Sequence, residues 1–71
     1  MFDYSFLLGK IKERCGTHAE FAAKMHLSER TISQKLNQKV DFSQSEIKKA
    51  SEILGIDDAN IQLYFFTLKV Q

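Results

Sequence analysis

The sequence predicts an all-α fold, a compact bundle of four to five short helices around one small core, and three observations carry that prediction. Apolar residues recur at helical spacing: Leu7 with Ile11, Phe21 and Ala22 with Met25, Ile32 with Leu36, and Ile47 and Ala50 with Ile53 and Leu54. Helix-start signals of the form Ser/Thr-x-x-Glu stand at Thr17 to Glu20 and at Ser43 to Glu46. The chain has 71 residues, 44% of them hydrophobic, and no proline, which suffices for one core and is too short for two. Residues 1–71 are therefore read as a single domain.

The first helix is expected from about Asp3 or Tyr4 to Arg14, with Cys15 and Gly16 ending it. Thr17 opens the second, its hydroxyl accepting from the third helical amide while Glu20 reaches back, and Met25 is its last residue. Ser28 caps a third helix to about Leu36. Ser43 and Glu46 start a fourth, which Gly55 closes at a C-terminal cap position. Asp57 or Asp58 caps a last short helix through Ile61. In the tail, 63–71, Tyr64, Phe66, Leu68 and Val70 alternate with Phe65, Thr67 and Lys69, a period of two that leaves room for a short C-terminal strand. Such an apolar face needs a cover: either the same segment of a second molecule, giving a homodimer through Tyr64, Phe66, Leu68 and Val70, or the chain's own Phe2 and Phe6.

Helices two and three are joined across only His26 and Leu27, so they cannot lie antiparallel and must cross steeply, as in a helix-turn-helix. Counting about 100° per residue from Ile32, Leu36 falls about 40° away, whereas Arg30, Gln34 and Asn37 fall at about 160°, 200° and 140°. Their side chains point away from the core, and arginine and glutamine are the groups that read guanine and adenine edges in a major groove. His26 occupies the turn where glycine is usual; a left-handed backbone there costs histidine about 1 kcal/mol and does not forbid the fold.

Net charge is +1, but between Gly9 and Lys39 seven Lys or Arg face three Glu, a modest footprint for a polyanion, whereas 40–62 carries two Lys against five acids. A single cysteine excludes an internal disulfide and suits a reduced compartment. The longest apolar run, LYFF, is far below a membrane span, and Asp3 stands where a signal peptide needs bases, so a cytoplasmic protein is expected. Cys15, His18 and His26 lack a fourth ligand and a metal-site spacing, so no metal and no cofactor are expected. No nucleophile and base set, carboxylate pair or phosphate loop stands out, so no enzyme is expected.

Residues 17–37, THAEFAAKMHLSERTISQKLN, resemble the helix-turn-helix of the phage repressor and Cro proteins, the family of lambda repressor. The likeness rests on the Thr17 start, Ala22 where the helices touch, Met25 and Leu27 flanking the turn, the Ser28 cap, and Ile32 with Leu36 as core. It departs at His18, where glutamine is usual, and at His26. The resemblance implies a lambda-repressor-like domain that binds a palindromic operator in double-stranded DNA as a homodimer. It implies base contacts from Glu29, Arg30, Thr31, Ser33 and Gln34, and phosphate contacts from Thr17, His18, Asn37 and Lys39. A sequence-specific transcriptional regulator of phage type is the leading expectation. The alternative is an antitoxin or modulator that uses the same fold to bind a partner protein.

Overall fold

A computed structural model describes residues 1–70; Gln71, the last residue of the 63–71 tail, lies outside the described residues. Five α-helices follow in order: α1 (Ser5–Cys15), α2 (His18–Met25), α3 (Glu29–Leu36), α4 (Gln44–Leu54) and α5 (Ile61–Phe65), the last entered through a 3-10 turn at Asp58–Asn60. The all-α architecture expected from the periodicity is the one observed. Leu7 and Ile11 of α1, Phe21 of α2, Ile32 of α3, Leu54 of α4 and Phe65 of α5 are fully buried and meet in one core. Ala22 is buried and α2 packs closely on α3, as a small side chain at a steep crossing requires.

Hydroxyl caps start three of the helices. Thr17 Oγ1 accepts from Glu20 N–H at 3.1 Å, Ser28 Oγ from Thr31 N–H at 3.1 Å, and Ser43 Oγ from Glu46 N–H at 3.2 Å. Only at Ser43 does the glutamate return the bond, Glu46 Oε1 accepting from Ser43 N–H at 2.8 Å. The box expected at Thr17 is half made, since Glu20 is exposed and gains little by pinning its side chain. At α1 the cap residue Tyr4 makes no side-chain cap bond, and Asp3 Oδ1 instead accepts from Ser5 N–H at 2.9 Å and Ser5 Oγ at 2.5 Å.

The end of the chain departs from the expectation. Asp57 makes no side-chain cap, and the last helix continues past Ile61 to Phe65. Tyr64 and Phe65 are therefore helical, not members of an alternating strand. Five residues cannot hold a helix alone, and burial of Phe65 in edge contact with Phe42 is what fixes it (centroids 5.5 Å apart). Beyond Phe66 the chain turns back on its own start. A single antiparallel bridge joins Phe2 to Leu68, with Asp3 N–H donating to Thr67 O at 2.7 Å and Lys69 N–H to Met1 O at 3.0 Å. No longer strand forms among the described residues.

Among the described residues two non-glycine residues are left-handed, His26 at φ 58° and Gln38 at φ 61°. His26 fills the turn between α2 and α3 as its position required. Gln38 follows α3 and turns its side chain onto the N-terminal segment, where its amide bonds both backbone groups of Phe2.

Candidate interaction surface

The α3 face is polar, and part of it is already committed to the fold. Glu29 and Arg30 are exposed in the first turn, and neither makes a side-chain hydrogen bond or ion pair among the described residues. Thr31 is half-buried and its hydroxyl accepts from Ser28 Oγ at 2.8 Å, so it belongs to the cap. Ser33 is exposed and accepts from Asn37 Nδ2 at 3.4 Å, one turn on. Gln34 is half-buried; Lys39 is exposed past the helix end, and His18 is exposed at the start of α2. Thr17 serves its own helix as cap. The helix thus offers Arg30, Glu29, Ser33 and Gln34 outward and little fixed positive charge.

Part of the basic excess of the sequence is engaged within the fold. Lys10 and Arg14 both reach Glu13, at 3.1 and 3.5 Å. Lys35, one of the seven basic residues before Val40, is buried at 6% exposure and pairs with Glu46 at 2.9 Å. Four of the seven, Lys12, Lys24, Arg30 and Lys39, make no ion pair among the described residues, against the unpaired acids Glu20 and Glu29. Each neutralised phosphate contributes separately to the affinity of a DNA binder, so few free charges on one face mean a shallow electrostatic grip.

Sequence reasoning missed Lys35, which flanks the α3 core stripe at about 60° from Ile32 and reads as a surface lysine. Its stem lies along the core while Nζ finds three acceptors of charge: Glu46 Oε1, the Asp41 carbonyl at 3.0 Å and the Phe42 ring at 5.9 Å. Phe42 was missed as well, although a signal for it existed. An apolar residue before the Ser43 cap, with Ile47 four positions into the helix, is a hydrophobic staple.

Phe42 also helps form a concavity. It is an open groove of about 260 Å³ walled by the N-terminal Phe2 and Tyr4, the loop residues Asp41 and Phe42, Ile47 of α4, and Phe65 with Phe66. Burial, and secondarily the Asp41 carboxylate, push the Tyr4 phenol above its ordinary range. Of the residues expected to dimerise, Tyr64 meets Phe6 at 6.4 Å between centroids and Phe66 meets Phe2 at 5.7 Å within the same chain. Leu68 and Val70 remain exposed.

Over residues 1–68 the chain matches a family described as a protein of unknown function (DUF739). It is similar to the modulator of repression (MOR) of the temperate bacteriophage TP901-1 from Lactococcus lactis. The two share 53% identity, the match covers 99% of this chain and 95% of that one, and the TM-score against that solution structure is 0.84. No curated protein matches. These findings overturn the assignment to the phage repressor and Cro proteins. The residues behind that resemblance, Thr17, Ala22, Met25, Ser28, Ile32 and Leu36, cap and pack two short crossing helices, a task that is independent of what the exposed face binds. With 68 of 71 positions matched, the chain belongs to the DUF739 family.

Proposed function

We propose that this chain is a modulator of phage repression that acts by binding a partner protein, the phage repressor, and changing that protein's hold on its operator. The observation that carries the reading is the 53% identity to the TP901-1 modulator of repression along 99% of the chain. The likeness runs over nearly the whole of both chains, so it takes in every helix of the domain. The charge distribution supports a protein partner over DNA as the primary target, because Lys35, Lys10 and Arg14 are engaged within the fold. Regulation of this kind places the protein in the cytoplasm of a bacterial host.

The test uses the purified chain, a repressor from the same phage, and operator and random duplexes at low and high salt. The expected result is a complex with the repressor, a changed operator affinity of that repressor, and no steep salt-dependent binding of either duplex by the chain alone. Tight, salt-steep operator binding by the chain alone, with no repressor complex, would overturn the reading.

A second reading gives the outward face of α3 direct contact with operator DNA, and the observation favouring it is that Arg30 and Glu29 are exposed without partners. Base contacts from Glu29, Arg30, Thr31, Ser33 and Gln34 and phosphate contacts from Thr17, His18, Asn37 and Lys39 belong to this reading. Loss of affinity of the repressor–chain complex for operator on Arg30→Ala, without loss of the complex itself, would favour it.

A further inference from the structure

We propose that the aromatic groove beside Asp41 is a receptor for an arginine side chain of the partner protein. The proposal rests on the reading that the partner is a protein, and it adds the chemistry that would hold it. At about 260 Å³ the groove is below the usual range for small-molecule pockets and suits a single long side chain.

Its walls have the composition of a cation site. Phe2, Tyr4, Phe42, Phe65 and Phe66 supply five rings, and Asp41 supplies the only charge in the lining. Phe2 and Tyr4 stack at 21° with centroids 6.2 Å apart, while Phe2 stands edge-on to Phe66 at 85° and Tyr4 to Phe42 at 69°. Phe65 and Tyr4 form a buried floor, whereas Phe66 is 43% exposed and forms an accessible wall. That one of these rings tolerates a cation is already visible, since Lys35 Nζ sits 5.9 Å from the centre of Phe42.

Asp41 gives the groove its polarity. Its backbone carbonyl holds Lys35, but its carboxylate makes no ion pair or hydrogen bond among the described residues. Lys35 does not neutralise it by default, because Glu46 at 2.9 Å takes that charge. Asp41 lines the groove beside Tyr4 and Phe42, and burial first and the Asp41 charge second push the Tyr4 phenol up. A free carboxylate beside stacked rings matches a guanidinium, which is planar, stacks on aromatic faces and accepts a carboxylate through two parallel hydrogen bonds. A lysine would use the charge but not the planar geometry. A nucleic acid could stack its bases, but its phosphates would meet Asp41 with the wrong sign.

The experiment has two arms. In the first, Nα-acetyl-arginine methylamide is titrated into the isotopically labelled chain and compared with the uncharged citrulline analogue, with aromatic and amide resonances as readout. The expected result is millimolar binding that shifts Phe2, Tyr4, Phe42 and Phe66, is absent with citrulline, and is lost in Asp41→Asn, a change that leaves the carbonyl to Lys35 intact. In the second, the repressor is titrated against wild type, Asp41→Asn and Phe66→Leu, with an affinity loss of at least about tenfold expected for each. Equal shifts from arginine and citrulline, or none, would overturn the proposal. So would full repressor affinity in both variants, which would leave the proposed function standing. If no repressor complex forms while the arginine shifts behave as expected, the proposed function falls and the groove's chemistry stands. Groove resonances that move with chain concentration alone would assign the groove to a second copy of this chain and overturn the arginine receptor.

Discussion

The side-chain amide of Gln38 closes onto the backbone of Phe2 from 36 positions away, accepting from its N–H at 2.8 Å and donating to its carbonyl at 2.6 Å. An amide used this way replaces a strand residue. Residues 1–3 thus have a partner on each side, Gln38 on one and the tail residues 67–69 on the other. The groove depends on this arrangement, because Phe2 is one of its walls.

Gln38 is also left-handed, at φ 61°, so its two roles can be separated by substitution. Gln38→Ala removes both bonds and keeps the backbone cost, and should destabilise the domain by about 1 to 3 kcal/mol. Gln38→Gly removes the same bonds but relieves the backbone, and should lose about 1 kcal/mol less. Urea unfolding of the pair measures the difference; equal losses would mean that φ at this position costs nothing.

Lys35 and Glu46 tie α3 to the capping box of α4 through a pair that is 7% and 23% exposed at its two side chains. Removing one partner leaves the other poorly solvated, so Lys35→Ala should cost about 2 to 4 kcal/mol, toward the lower end of buried pairs because Glu46 keeps some water. Lys35→Met, which keeps the stem, should cost less. Thermal melts that ranked the two variants in the opposite order would show that packing of the stem contributes nothing.

The same pair sets an acid limit. Burial pushes the Glu46 carboxyl up, but the Ser43 N–H bond and Lys35 outweigh it and hold it below its ordinary 4.5. A depressed folded value means that ionised Glu46 stabilises the fold fully above its unfolded value, and that this contribution is lost as pH falls through the folded one. Stability should therefore decline below about pH 4.5 more steeply in wild type than in Glu46→Gln. Parallel curves for the two proteins would remove Glu46 from the account.

The helices were legible because their caps and stripes are local: Thr17, Ser28 and Ser43 sit where their hydroxyls are needed, and Ile32 with Leu36 defines a face without reference to the rest of the chain. The groove was not legible, because it joins residues 2 and 4 to 41, 42, 47, 65 and 66 and no periodicity connects them. The tail misled for a related reason. YFF reads equally as alternating strand or as helix, and only the tertiary contact of Phe65 with Phe42 decides between them. Of the outward residues of α3, Arg30 and Asn37 are exposed as expected whereas Gln34 is half-buried, and exposure carries no information about the class of partner.

His26 has φ 58° and ψ 37°, and its side chain is exposed at the joint between α2 and α3. The turn is held by backbone bonds, His26 N–H to Ala23 O at 3.1 Å and Leu27 N–H to Ala22 O at 3.0 Å, neither of which needs the imidazole. His26→Gly should therefore raise stability by up to about 1 kcal/mol and leave partner binding unchanged. A melt showing clear destabilisation would assign the ring a contact in solution.

Leu68 and Val70, at 67% and 91% exposure, are apolar residues that the fold of one chain leaves in water, whereas the backbone between them is engaged. Thr67 O and Lys69 N–H bond Asp3 and Met1, so deleting residues 67–71 should cost about 1 to 2 kcal/mol from these lost bonds and also loosen Phe2. Side-chain changes that spare the backbone behave differently: Leu68→Ser with Val70→Ser should alter folding stability by less than about 0.5 kcal/mol. Because Tyr64 and Phe66 already find Phe6 and Phe2 within the chain, wild type and the double variant should both sediment as monomers at micromolar concentration. A wild-type dimer that the two serines dissolve would place a second molecule, rather than the chain's own first residues, against Leu68 and Val70.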